Sequence, residues 1–183
     1  MDKELIKKSL GVHPDFPKKG ITFLDIFPIL QDPFKFEVLI THLLSHLHSH
    51  TIPKLSNGGK IDVVVGLDAR GFLLGPVLAM RLGAAFVPVR KGGKLPGQCS
   101  KVEYSLEYGK DVFEIQSNSI KQNQNVIVID DLIATGGSAS AAGQLIKQQG
   151  GNTLEYLFIV ALPFLKGLEK LDAPAYYIVE AED

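Results

Sequence analysis

The sequence predicts an α/β fold: a central, mainly parallel sheet flanked by helices. Three observations predict it. Short, near-continuous apolar runs occur at Ile61–Val65, Ala85–Val89, Val126–Ile129 and Leu154–Leu162. Such runs mark strands buried on both faces, as parallel strands are. Helical patterns at Phe72–Leu82 and from the Gly136 region to about Gln149 alternate with them, which calls for right-handed crossovers. Polar or glycine-rich loops follow three of the four runs.

The flanking segments read as follows. Asp2–Leu10 has a short helical pattern, and His13–Asp25 is a loop with extended pieces, broken by Pro14, Pro17 and Gly20. Pro33 to about His50 has the apolar spacing of an amphipathic helix, with Phe36, Leu39, Ile40, Leu43, Leu44 and Leu47 on one side. Thr51–Lys60 is a polar connection. Leu95–Asn125 is polar, with a hairpin-like pattern through Tyr104, Leu106, Val112, Phe113 and Ile115. A connection this long in a compact domain is usually functional or disordered, and its place beside the strand ends favours a lid. The whole chain, residues 1–183, reads as one domain with an N-terminal segment of about 1–32.

Composition narrows the function. Hydrophobic residues make up 45% and charged residues 21% of the 183, enough apolar material for a full core. A net charge of −1 argues against nucleic acid as a partner. The single cysteine, Cys99, excludes an intramolecular disulfide and fits a reducing compartment. No run approaches the ~20 apolar residues of a membrane helix, and the first ten residues lack a signal peptide's apolar core. The expectation is a cytoplasmic protein without a membrane partner.

In an open α/β sheet, ligands bind outside the carboxyl ends of the strands. The loop after Val126–Ile129 is Asp130-Asp131, then Thr135-Gly136-Gly137-Ser138 leading into a helix. Backbone N–H groups and the helix N-terminus converge there, which suits an anion. It is neither a Walker A loop nor G-x-G-x-x-G. Without a cationic side chain it suits one terminal phosphate. Asp130 and Asp131 can accept hydrogen bonds from two neighbouring hydroxyls, such as those of a ribose. The other loops supply Arg70, Arg90, Lys91 and Lys94, groups that grip a second anion. A ribose 5-phosphate carrying pyrophosphate on C1 satisfies all three loops, with Mg2+ neutralising the pyrophosphate and held mainly by substrate oxygens and water.

VIVIDDLIATGGSASAAG resembles the PRPP-binding motif of the type I phosphoribosyltransferases. PDFPKKGITFLDI, GLDARGFLLGP, VRKGGKLPG, YSLEYGKDVFEIQ and FLKGLEKL, in that order, extend the resemblance to the adenine-specific members of that family over almost the whole chain. The resemblance implies a type I phosphoribosyltransferase-like fold with a small N-terminal hood and a flexible catalytic loop at about 95–125. It implies transfer from PRPP to adenine, giving AMP and pyrophosphate, in a homodimer. Ala134, Thr135, Gly136, Gly137 and Ser138 would bind the 5′-phosphate, and Asp130 and Asp131 the ribose. Ala69, Arg70, Arg90 and Lys94 would bind pyrophosphate. Glu107 and Tyr108 would be the working residues of the catalytic loop. Thr22, Phe23, Leu24 and Leu132 would hold adenine. Ala69 stands where the family often has serine, and Leu24 where it often has arginine. The 6-oxopurine enzymes use a lysine on the strand after the phosphate loop's helix; Leu154–Leu162 has none, and Lys166 lies beyond Pro163.

The rival readings are a phosphoribosyltransferase for another base and a non-catalytic PRPP-binding regulator. The intact SLEYG segment and the absence of a basic face weigh against the latter. His42, His46 and His50 recur at helical spacing, but no H-E-x-x-H pattern accompanies them, so metal binding is not expected.

Overall fold

The computed structural model describes residues 1–55, 59–105 and 109–181. Helices are α1 (Asp2–Ser9), α2 (Phe27–Leu30), α3 (Pro33–His46), α4 (Gly71–Leu82) and α5 (Gly137–Gln148). Strands are β1 (Gly11–His13), β2 (Phe23–Asp25), β3 (Val63–Leu67), β4 (Ala85–Lys91), β5 (Cys99–Ser105), β6 (Lys110–Gln116), β7 (Asn125–Ile133), β8 (Asn152–Ala161) and β9 (Ala175–Glu180). A seven-stranded sheet runs β5-β6-β4-β3-β7-β8-β9. Neighbours in the run β4-β3-β7-β8-β9 pair in parallel, while β6 pairs antiparallel with both β4 and β5. A separate antiparallel ribbon joins β1 and β2.

The uninterrupted apolar runs have a simple cause. Along β7, Ile127 and Ile129 face one hydrophobic core while Val126 and Val128 face another. Along β8, Leu157 and Ile159 split from Tyr156 and Phe158 in the same way. Helices cover both faces, so both sets of alternating side chains are buried. Leu39, Leu43, Leu74 and Leu78 from α3 and α4 cover the first face, and Ala142, Leu145 and Ile146 from α5 cover the second. α3 begins where the sequence directs: Asp32 caps it by accepting from the Phe34 and Lys35 N–H groups, with Pro33 in the first position.

Several boundaries differ from the expectation. The first apolar run forms β3 at Val63–Leu67, two residues later than the run suggests, although Ile61 is still buried. The long helix ends at His46 and continues as a wide π turn, Leu47–Thr51, then a tight 3₁₀ turn, Ile52–Lys54. The third apolar run forms β7, which extends through Ile133, so Asp130 and Asp131 belong to the strand itself. Cys99–Ser105 and Lys110–Gln116 pair over seven positions as the hairpin that the sequence pattern suggests, and they also complete one edge of the main sheet. Two elements, α2 and β9, were not expected. Among the described residues, no helix is long and apolar enough to cross a membrane.

Phe158 is fully buried in β8 at the centre of the second core. Phe158→Ala is expected to destabilise the fold by about 3–5 kcal/mol. A lower urea midpoint with an unchanged slope is the expected result.

Candidate active site

The carboxyl ends of β3, β4 and β7 bring the three loops together, as the pairing of β3 with both neighbours requires. A cavity of about 210 Å³ opens at the end of β7. Every residue from Asp130 to Ala139 lines it, together with Arg70, Tyr104 and Ser105. It therefore holds Asp130, Asp131, Leu132, Ala134, Thr135, Gly136, Gly137 and Ser138, all nominated by the sequence.

The anion loop has its own support. Gly136 has a positive φ of 78° and precedes the first turn of α5. A Cβ here would run into the backbone of Gly167, and one on Gly167 would run into the Ala134 carbonyl. The loop thus rests on a turn far along the chain, at Gly167, and the contact requires both glycines.

The carboxylates are unlike each other. Asp131 is buried, and the Arg70 Nε donates to its Oδ2. Asp130 accepts from the Asp131 N–H at 2.9 Å. Burial, then the neighbouring Asp131 charge, pushes the Asp130 carboxyl well above the usual carboxylate range. The second loop repeats the pairing: the Arg90 Nε donates to Asp68 Oδ2 at 3.0 Å. The Arg70 guanidinium lies 5.4 Å from the Phe23 ring centroid, and that of Arg90 lies 5.6 Å from Phe72's. Aromatic faces hold both guanidiniums in place. Both bonds use Nε, which leaves the terminal nitrogens for an anion. Ala69 lies between Asp68 and Arg70, and the Asp68–Ala69 peptide is cis.

Other nominated residues are dispersed. Lys94 is exposed beyond the Gly92–Gly93 turn and does not line the cavity. Phe23 lines a second hollow of about 300 Å³, beside Arg70, with Phe16, Phe27, His13 and Asp25. The side chains of Thr22 and Leu24 line a different hollow, against Lys7, Leu10 and Val179. Alternation along the chain sends the Phe23 ring to one side and the Thr22 and Leu24 side chains to the other. Lys166 is exposed and does not line the cavity, although its neighbour Gly167 supports the loop. Glu107 and Tyr108 lie outside the described residues.

Residues 30–180 match the profile of the phosphoribosyl transferase domain. The chain belongs to the phosphoribosyl transferase family. Within it, the chain is 54% identical to the adenine phosphoribosyltransferase of Yarrowia lipolytica, over 97% of this chain and 95% of that protein. It is 51% identical to adenine phosphoribosyltransferase 1 of Saccharomyces cerevisiae, over 97% and 92%. The crystal structure of a Saccharomyces cerevisiae adenine phosphoribosyltransferase, in complex with an imino-altritol 1,6-bisphosphate and adenine, superposes with a TM-score of 0.92. That match has 50% identity and covers 97% of this chain and 98% of the other. The Giardia lamblia enzyme with 9-deazaadenine gives a TM-score of 0.85 at 29% identity, covering 100% and 99%.

In this phosphoribosyl transferase, sequence reasoning gave no site role to Tyr104, Ser105, Asp68 or Gly167. Tyr104 stands out in the sequence only as an apolar position in a polar segment. Nothing local marks Asp68 as Arg90's partner, or Gly167 as the prop beneath Gly136.

The raised pKa of Asp130 has a definite sign in stability. Above the ordinary carboxylate pKa the unfolded chain releases a proton that folded Asp130 retains. Its contribution is therefore present at low pH and lost as pH rises through the folded value. Asp130→Asn removes that loss. It is expected to leave stability near wild type at low pH and to raise it at neutral and alkaline pH. Urea denaturation of the ligand-free protein across pH checks this, and parallel curves for the two proteins would contradict it.

Proposed function

We propose that the chain transfers the 5-phosphoribosyl group of PRPP to adenine, giving AMP and pyrophosphate in a purine salvage step. The observation that carries this reading is the cavity's chemistry. An anion loop without a cationic side chain adjoins two carboxylates, with a paired arginine at the rim. The relatives support it, since the Saccharomyces cerevisiae structure holds adenine with a bisphosphate.

In this reading the 5′-phosphate sits on Ala134–Ser138, and Asp130 and Asp131 accept from the ribose hydroxyls. Ala69, Arg70, Arg90 and Lys94 take the pyrophosphate. Adenine lies between Leu132 and the hood strand, contacting the Phe23 ring and the backbone of Thr22 and Leu24. The base assignment rests also on β8, which carries no lysine to reach a 6-oxo group.

The bond from ribose C1 to the pyrophosphate oxygen breaks while adenine N9 closes on C1, through a transition state with oxocarbenium character. Charge grows on the leaving oxygen, and Arg70, Arg90 and Lys94 are placed to oppose it. The residues fit a magnesium ion that is bound largely through substrate. Asp131 is already committed to Arg70, and burial raises the Asp130 carboxyl above the usual carboxylate range, so the pair offers little charge to a protein-held ion. Bound with the substrate, magnesium neutralises pyrophosphate charge. Glu107 receives the proton that leaves the adenine imidazole ring, and Tyr108 orders the pyrophosphate or the closed loop.

The protein acts as a cytoplasmic homodimer in this reading. The exposed Lys94 suits delivery of a cation to a neighbouring subunit's site.

The first test is turnover with PRPP and magnesium, offering adenine, hypoxanthine, guanine and orotate in parallel. AMP formation from adenine alone is expected. Turnover of a 6-oxopurine would reassign the base, and PRPP binding without product would favour a regulator. Glu107→Gln is expected to lower kcat by about 10²–10⁴-fold and to change its pH profile; full turnover with an unchanged profile would remove the proton-transfer role.

A further inference from the structure

The turn after β4 carries Lys94, and β6 holds that turn at two points. The Gly92 N–H donates to the Val112 carbonyl at 2.8 Å, and the Gly93 N–H donates to Glu114 Oε2 at 3.0 Å. Gly93 has a positive φ of 79°, which turns the chain immediately before Lys94. Glu114 is an uncommon residue for its place. It is 2% exposed, and its neighbours Phe113 and Ile115 face the second core. Successive side chains of a strand alternate, so Glu114 points the other way. It stands opposite Arg90 of β4 on one side and Lys101 of β5 on the other. Arg90 is spent on Asp68, whereas Lys101 Nζ lies 2.9 Å from Glu114 Oε1. Each carboxylate oxygen thus has one partner, a lysine for Oε1 and a backbone N–H of the turn for Oε2. The hydrogen bond from Lys101 holds the Glu114 carboxyl below the usual carboxylate range. An apolar residue would fill this position without the cost of burying a charge. The carboxylate therefore has a task besides packing.

We propose that Glu114 is a positioning residue for Lys94: its carboxylate, anchored by Lys101, fixes the Gly92–Gly93 turn and so the direction in which Lys94 is presented to pyrophosphate. The inference rests on the placement of pyrophosphate on Lys94 given under the proposed function. Arg70 and Arg90 are each held by a carboxylate, and no carboxylate among the described residues does the same for Lys94. A lysine is a point charge on a flexible stem, so its aim is set by the backbone from which it springs. A turn free to wander would leave the competent placement as a fraction of the ensemble, and apparent affinity falls by that fraction.

Three variants separate reach from charge. Glu114→Ala removes both bonds. Glu114→Asp keeps the charge but draws the carboxylate back from Gly93 by one methylene. Glu114→Gln keeps an oxygen at the original reach, able to accept from the Gly93 N–H. The readouts are PRPP and ribose 5-phosphate binding to the full chain by calorimetry with magnesium, and the KM values for PRPP and adenine. PRPP affinity is expected to fall about three- to tenfold in the Ala and Asp variants, the size of one net hydrogen bond, and to stay near wild type in Gln. PRPP KM is expected to rise in step, with adenine KM unchanged. Ribose 5-phosphate has no pyrophosphate and is expected to bind all three variants as it binds the wild type. Lys94→Ala is expected to weaken PRPP binding, and Glu114→Ala added to it is expected to bring no further loss.

Four results would overturn the proposal: unchanged PRPP affinity in the Ala and Asp variants, an equal loss for ribose 5-phosphate, a Gln variant as weak as Ala, or additive losses with Lys94→Ala. A purely structural carboxylate would lower the urea midpoint without changing the ratio of the two affinities. Should Glu114→Ala fail to fold, the contrast between Asp and Gln decides. Lys94→Ala binding PRPP as tightly as the wild type would remove the pyrophosphate placement and this role with it. A loss in Lys94→Ala with none in Glu114→Ala or Glu114→Asp would remove only this role. The binding measurements contain no base, so they leave the adenine assignment to its own test.

Discussion

A carboxylate buried at the end of a parallel strand must find a cation or give up its charge. Asp131 finds Arg70, and that bond ties the loop after β3 to the end of β7. Asp130, one residue earlier, has no cation of its own and is driven toward its protonated form. The site therefore sets a carboxylate paired with an arginine beside one that resists ionisation. A ligand that offers hydroxyl donors to both relieves the reluctance. An empty site, in contrast, is a cost to stability that the rest of the sheet must offset. Such a cost is expected where function requires polar groups at a buried position.

The same logic extends across the strand ends. Arg90 is held by Asp68 as Arg70 is by Asp131, and each guanidinium lies against an aromatic ring. Pairing through Nε fixes each side chain without using the terminal nitrogens. The cations are thus preorganised, and little side-chain entropy remains to be lost when an anion arrives. The anion loop is fixed by a different means, the backbone contact between Gly136 and Gly167. Cations held by carboxylates, and amides held by a backbone prop, together make a site whose geometry precedes its ligand.

Local pattern made the sheet legible, because Val126–Ile129 and Leu154–Leu162 are apolar on both faces and only a doubly covered strand needs that. The loop chemistry was legible for a similar reason: Thr135–Ser138 before a helix has few other uses. What escaped depends on contacts distant in sequence. β9 is a short edge strand whose pairing with β8 is invisible in its own residues. The hairpin showed in its own alternation, but its attachment to β4 did not, because its outer strand, β5, is half solvated. Tyr104 and Gly167 matter only through the loop they touch. The hood was legible as a segment but not in its facing, since a three-residue strand offers too little alternation to orient it.

That facing bears on how a base would be recognised. β2 pairs with β1 along one side only, His13 with Phe23 and Gly11 with Asp25. A strand in a two-stranded ribbon keeps one edge of N–H and C=O groups unpaired. Those groups are the same whatever side chain the position carries. Leu24 turns its side chain toward Leu10 and Val179, into the fold, and Phe23 turns its ring toward Arg70. Position 24 can therefore exchange a frequent arginine for leucine and still present the same carbonyl and amide at the strand edge. A carbonyl there accepts from an exocyclic amine and has nothing to offer a 6-oxo group. The discrimination this reading requires would then lie in the backbone of β2, with the side chains serving to hold that backbone at its angle.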